Sequence, residues 1–328
     1  MSAPVVLLGP QRPNLNLQSA LHALDVRGSV VCITAGQRLD EADDATLRRE
    51  LHPQAVSLPI YGLFERIASV APDLAHAYKE RQNRVRKLKA LYRVRLHAAL
   101  SVVRRLIGRK DDDPELVRLA LDAAVLSLRE IDSSYLGWSD AAHGRFDSTT
   151  DPRAHPRVAS VRARARAQLL GAGAVVIQGG HVGVLRNRLD FFGLGELLVE
   201  ANQRGVPIIA SAGGAMALTD RVVLFHDDPP HGVGDPEILD RGLGVVPGLV
   251  LFPDAAQRLR LDDRARVAAL ARRFGPAACL ALESGAVLAR RGGVWRNEGA
   301  SDLVLRFGDD GGLSPVGELE GGADAANS

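Results

Sequence analysis

Short apolar runs bounded by glycine or proline recur along the chain: Val5 to Leu8, Val30 to Thr34, Ala174 to Gln178, Val206 to Ala210, Val222 to Phe225, Leu249 to Phe252 and Cys279 to Leu282. Continuous rather than alternating hydrophobicity predicts strands buried on both faces. Asn14 to Leu24, Gly195 to Gln203 and Asp262 to Phe274 carry helical spacing and alternate with these strands. That alternation predicts βαβ units, hence an α/β, doubly wound, mostly parallel sheet.

From residue 62 to 156 the strand signals stop. Val85, Leu88, Tyr92, Leu96, Ala99, Val103 and Leu106 recur at steps of three and four, one face of a long helix. A second helix is predicted from Asp113-Pro114, a cap residue followed by proline at the first helical position, and carries Leu116, Leu119, Ala123, Leu126 and Ile131. The two form an antiparallel hairpin inserted between 1–61 and 157–320, with 321–328 as a frayed tail. Ser133 to Pro156, rich in Ser, Asp, Gly and Pro, is expected to be loop.

Composition narrows the classes. With 328 residues, 46% hydrophobic and 24% charged, the chain can bury a large core and is neither fibrous nor disordered. A formal net charge of +2 gives no overall pull toward nucleic acid or anionic lipid. Cys32 and Cys279 lie in apolar runs without metal-type spacing and are expected to be reduced core residues. No stretch reaches membrane-spanning length and the N-terminus lacks a signal-peptide pattern, so the expected compartment is the cytoplasm. No P-loop, Gly-x-Gly-x-x-Gly loop, His-Glu-x-x-His or Cys-x-x-Cys element occurs where it would act, so neither a metal nor a nucleotide cofactor is expected.

The segment with chemical content is Val206 to Leu218, where a strand runs into Ser211-Ala-Gly-Gly214 and then into a helix. A serine on a sharp strand-to-helix turn is a nucleophile elbow, and small neighbours let backbone approach closely. The Ala212 N–H would face a developing oxyanion. Gly179-Gly180, at the end of the preceding predicted strand, offers the Gly180 N–H as a second donor. Ser211 as a plain helix cap is an equally good reading of this segment alone.

Gly179-Gly180, Ser211-Ala-Gly one helix and one strand later, Gly242-Leu-Gly-Val-Val-Pro247, Leu251-Phe-Pro-Asp-Ala-Ala-Gln-Arg258 and the early Val30-Val-Cys-Ile-Thr-Ala35 together resemble the dipeptidase E and cyanophycinase family of serine peptidases. The wider group is the flavodoxin-like, class I glutamine amidotransferase-like fold. The resemblance implies Ser211 as nucleophile with Gly180 and Ala212 as oxyanion donors. Gly179, His181, Gly213 and His231, in or near these turns and the following loop, are the candidate substrate-binding residues. The family's two branches place the acidic partner differently, at Asp227 by one and Glu283 by the other. Both put the catalytic histidine where this chain has Asp254. An ordinary aspartate titrates near about 3.9 and is a feeble base at neutrality. His226, His231, His181 or a buried Asp254 would have to take that role.

Three readings follow. One is a serine hydrolase that cleaves a small peptide or amide through an acyl-enzyme on Ser211. Another is a non-catalytic binding protein using the same turns as a nest for a carboxylate. The third, disfavoured because no aromatic residues interleave to stack bases, is nucleic-acid docking by residues 79–110, which hold twelve Lys or Arg and one acidic residue. A lid or a homodimer contact is an equally open reading of the hairpin. Glutamine amidotransfer in its usual form needs a cysteine at the elbow, which is absent.

Overall fold

The computed structural model describes residues 2–109, 113–225 and 235–320. Its strands in chain order are β1 Val5–Leu8, β2 Val30–Ile33, β3 Ala55–Ser57, β4 Ala174–Ile177, β5 Ile208–Ser211, β6 Arg221–Leu224, β7 Glu237–Arg241, β8 Leu249–Pro253, β9 Ala278–Leu282, β10 Val287–Arg291, β11 Val294–Asn297, β12 Val304–Phe307, β13 Leu313–Pro315 and β14 Glu318–Glu320. The helices are α1 Leu17–Ala23, α2 Asp44–Glu50, α3 Ile60–Val70, α4 Pro72–Ile107, α5 Pro114–Thr150, α6 Pro156–Leu170, α7 Val182–Phe191, α8 Leu194–Gln203, α9 Gly213–Leu218, α10 Ala255–Arg258 and α11 Arg264–Phe274.

The central sheet is mixed, in the order β14-β11-β10-β1-β5-β4-β2-β3. Its parallel half, β1 to β3 with β4 and β5, is covered on both faces. Val5, Leu7, Val175, Ile177, Ile208 and Ala210 join one core, while Val6, Leu8, Val176 and Ile209 join the other with Leu17, Leu21 and Leu47 of α1 and α2. Burial on both sides explains the unbroken apolar runs. The expectation of one mostly parallel sheet is corrected at its second half. β8 and β9 pair in parallel but belong to a separate four-stranded sheet with β12 and β13, and β6 pairs with β7 in an antiparallel ribbon. A run of four or five apolar residues shows that a strand is buried without showing which strand lies beside it.

The hairpin of α4 and α5 is longer than expected. Asp113 caps α5 by accepting the N–H groups of Glu115 and Leu116, each at 3.1 Å. The helix then runs through Ser133–Thr150, the stretch expected to be loop. Tyr135, Leu136, Ser139, Ala142, His143 and Phe146 are buried there at helical spacing, and the Ser, Asp and Gly between them lie mostly on exposed or polar faces. Tyr135 stacks on Tyr92 with ring centroids 4.3 Å apart. Packing of that stripe outweighs the weak helix propensity of the residues between.

Two buried polar networks fix the hairpin to the rest of the fold. In one, Arg273 of α11 donates to both oxygens of Asp132 at 2.7 Å, to the Tyr92 hydroxyl at 2.7 Å and to the Pro236 carbonyl at 2.6 Å. In the other, Asp240 of β7 is held by His143 Nε2 at 2.7 Å, Ser139 Oγ at 3.0 Å and Arg186 at 3.2 Å. Burial by itself would raise the Asp240 carboxyl, but the His143 hydrogen bond and the Arg186 charge hold it down at about 2.

These networks set two expectations. Asp132→Ala leaves the Arg273 guanidinium buried and uncompensated and lowers unfolding free energy by about 3–5 kcal/mol in urea denaturation, whereas loss of a surface ion pair costs under about 1. Folding favours ionised Asp240, so its contribution is complete above the ordinary carboxylate range of about 4 and is lost as pH falls toward about 2. Melting temperature should therefore fall less steeply between those pH values in Asp240→Asn than in the unmodified protein.

Candidate functional site

The carboxyl ends of β1, β4 and β5 lie side by side, with Leu8 opposite Ser211 and Ile177 opposite Ala210. In open α/β sheets this edge is where ligands bind. β5 ends at Ser211, and the next residue, Ala212, adopts φ 47° and ψ −117°. A residue with a Cβ occupies this region only at a cost of about 1–3 kcal/mol. Three contacts hold it there. The Ala212 N–H donates to the Leu8 carbonyl at 2.9 Å, and the Ala212 carbonyl accepts the Met216 N–H at 3.1 Å to open α9. Gly214 lies so close to the end of β4 that an added Cβ would meet the Ile177 carbonyl oxygen at 2.3 Å.

The strained elbow residue is thus Ala212, one position after the serine that sequence reasoning placed there. Ser211 is 3% exposed, and strand alternation puts its side chain on the face of Ile209 and Leu8, toward α1. The Ala212 methyl carbon instead sits 3.1 Å from where Gly179 would carry a Cβ, over the Gly179-Gly180 turn. The pair of amides that could donate to a ligand shifts by the same step. The N–H of Ala212 is taken by Leu8, while the amides of Gly180 and Gly213 donate to no protein acceptor among the described residues.

The Gly179-Gly180 turn is anchored from the β2 side. Gln178 N–H donates to the Ile33 carbonyl at 3.0 Å, Gln37 Nε2 to Gln178 Oε1 at 3.1 Å and His181 N–H to the Gly36 carbonyl at 2.8 Å. Gly180 has φ 126°, and a Cβ on it would lie 2.5 Å from Gly36, so only glycine fits. The same loop contains Arg38 at φ 62° and ψ −118°, a second non-glycine residue in a conformation close to that of Ala212. His181 Nδ1 accepts the Val184 N–H at 3.2 Å and caps α7, which leaves the ring proton on Nε2. Partial burial, and then the nearby charge of Arg38, lower the His181 pKa, so a neutral donor is presented at neutral pH.

These elements enclose a cleft of about 410 Å³ whose lining includes Pro10, Gly180, His181, Ala212, Gly213 and Arg258. Met216, Phe225 and Pro253 close its apolar side. Asp254, in the place of the expected histidine, has φ 62° and accepts from Arg258 Nε at 3.2 Å. Glu283 Oε1 accepts the Ala256 N–H at 3.0 Å. Burial, with the Asp254 charge as a smaller contribution, raises the Glu283 pKa. The structure therefore gathers Gly179, Gly180, His181, Ala212 and Gly213 around one cleft, sets Asp254 and Glu283 together behind its wall, and leaves Ser211 beneath it. His226, Asp227 and His231 lie outside the described residues. Arg258 and Arg38 were not singled out from sequence. The four-residue Asp254 to Arg258 spacing was the available signal for the first, and none marks the strain at the second.

A Ser–His–Asp set occurs elsewhere, in Ser139, His143 and Asp240. One ring nitrogen, His143 Nε2, faces both the serine and the aspartate, and all three residues are buried. A relay needs the two ring nitrogens in different roles, so this set is structural. Both cysteines are buried, and burial pushes each thiol up to about 12, so neither is a thiolate at neutral pH. Among the described residues no group of His, Cys, Asp and Glu is arranged to hold a metal ion, and no helix is long and apolar enough to cross a membrane.

No family model matches the chain, and no curated protein matches it. Among solved structures it is similar to a peptidase from an acI-B1 Actinobacterium, with 13% identity over 98% of this chain and 96% of that one, at a TM-score of 0.43. It is also similar to a proposed Peptidase E from Listeria monocytogenes EGD-e, with 8% identity over 92% of this chain and 100% of that one, at a TM-score of 0.45. These two neighbours are peptidases by description.

Strain at the elbow gives a direct expectation. Ala212→Gly removes the Cβ penalty at the cost of greater unfolded-state freedom, for a net stabilisation of about 1 kcal/mol in chemical denaturation. Ala212→Val, with a branched side chain at the same dihedrals, should lower stability.

Proposed function

We propose that this protein binds a small anionic ligand, a peptide or amide bearing a carboxylate, in the cleft between Gly180 and Gly213, and does not form an acyl-enzyme. The observation that carries this reading is the methyl group of Ala212 at the strained elbow. A nucleophile must be held out of the sheet and beside its oxyanion donors. Here the residue in that position has no hydroxyl, and the serine beside it faces the α1 core. What remains of such a site is its electrostatic half. Two amides without protein acceptors, the Nε2–H of a neutral His181 and the partly exposed Arg258 can each donate to a carboxylate oxygen.

The second reading is a serine hydrolase acting through Ser211. It is favoured by the nearness of Ser211 to the elbow and by the paired carboxyls Asp254 and Glu283. It requires the Ser211 hydroxyl to turn into the cleft and a base to reach it. Among the described residues His181 is the imidazole at the cleft, and its Nδ1 is already occupied by α7.

A fluorophosphonate probe separates the readings. The expected result is no covalent adduct on folded protein; an adduct lost in Ser211→Ala would establish the hydrolase. Calorimetric titration with an N-acetylated dipeptide and its C-terminal amide tests the ligand class. The carboxylate should bind at least about tenfold more tightly than the neutral amide, and equal affinity would contradict an anion site.

A further inference from the structure

The cleft of the proposed anion site pairs a few hydrogen-bond donors with a wide apolar wall, and both begin in the same two turns. Gly180 and Val182 stand two residues apart at the entry to α7, and Gly213 and Met216 lie one helical turn apart in α9. A Cβ built on Gly213 would lie 3.4 Å from the Val182 Cβ and 3.6 Å from the Gly180 nitrogen. The first apolar side chain therefore sits beside the two amides. From Met216 the wall passes to Val223 and Phe225, on and just beyond β6, and to Pro253 at the end of β8, elements that pack against α9.

This wall is preformed. Val182, Met216, Val223 and Phe225 belong to the main core and are each no more than 9% exposed. The Phe225 ring stands edge-on to Phe252 with centroids 5.0 Å apart, and Phe252 stacks on Phe307 at 5.2 Å. Side chains so held keep their shape whether or not a ligand is present.

What the cleft lacks is equally selective. Among the described residues that line it there is no Asp or Glu, and no Ser, Thr, Asn, Gln or Tyr. A sugar, a nucleobase or an amide side chain would shed its water there and find no partner. A lysine side chain would meet Arg258 with no carboxylate on the lining to answer it. A second carboxylate would compete for the donors that the first one uses.

We infer that the ligand carries an uncharged apolar side chain, branched or aromatic, next to its carboxylate: an N-acylated apolar amino acid or a short peptide ending in one. The inference rests on the reading of the cleft as an anion site. At about 410 Å³ the cleft falls within the ~300–1,000 Å³ of small-molecule sites, which are likewise mostly apolar with a few placed polar groups. A leucine side chain has three more carbons than alanine to bury against the wall, enough for a preference of at least about tenfold.

Calorimetric titration of the full chain with N-acetyl-glycyl-leucine, -alanine, -aspartate and -lysine, each as free acid and as C-terminal amide, tests it. The leucine acid should bind at least about tenfold more tightly than the alanine acid, and the aspartate and lysine acids more weakly than alanine. Val182→Ala should lower the leucine-to-alanine ratio several-fold. Met216→Lys should reverse the order of leucine and aspartate, a gain of binding that misfolding cannot mimic. Leucine preferred over alanine with acids no tighter than amides would sink the anion site and leave the apolar wall standing. Acids tighter than amides with side chains indifferent would overturn this inference alone. A preference for aspartate or lysine, a leucine preference untouched by both substitutions, or no binding of any member of the set also overturns it.

Discussion

The closeness of backbone at the carboxyl ends of β1, β4 and β5 governs the rest of the site. The Leu8 carbonyl takes the Ala212 N–H, and the Ile177 carbonyl presses on Gly214. A chain leaving β5 under both constraints has to turn at once, and the turn falls on residue 212. From that follow the start of α9 at Gly213, a Gly213 amide with no protein acceptor among the described residues and the packing of Gly213 against the Gly180 turn. The cost is backbone strain at a residue with a Cβ. Such strain persists only where surrounding structure over-determines it, and it concentrates at functional sites. Arg38, the other residue in this conformation, belongs to the loop that holds Gly180.

The hairpin and the cleft are connected through the β6–β7 ribbon. Phe225, just beyond β6, lines the cleft, while β7 carries Glu237 and Asp240, which the hairpin grips through Lys89, Arg93 and His143. Tyr92 and Tyr135 add hydrogen bonds to the β7 backbone at Ile238 and Leu239. The basic residues of α4 therefore divide into two groups. Those facing inward neutralise Asp190 of α7 and Asp235 and Glu237 at the ribbon, and Arg84, Arg95 and Arg105 face outward and are exposed. A count of charges along the helix merges the two.

Much of the architecture was legible because burial on both faces writes itself into sequence as unbroken apolar runs. Every such run is a strand, and Asp113-Pro114 marks the start of α5. What stayed hidden depends on distant partners. The assignment of β8 and β9 to a second sheet rests on their pairing with β12 and each other, which no local window contains. The helix across 133–150 rests on Tyr78, Tyr92 and Arg81 packing on Phe146 and Tyr135. At the site, small residues and the glycine pair located the turn, but Ser211-Ala212-Gly213 supports an elbow at either of two positions. One hydrogen bond to Leu8, at the other end of the chain, decides between them.

The most direct measurement is a high-resolution crystal structure of the protein with a peptide carboxylate bound. The account predicts positive φ at Ala212, its methyl group against the ligand, carboxylate oxygens accepting from the Gly180 and Gly213 amides, and the Ser211 hydroxyl turned toward α1. Electron density placing the Ser211 Oγ in the cleft and bonded to the ligand would contradict it.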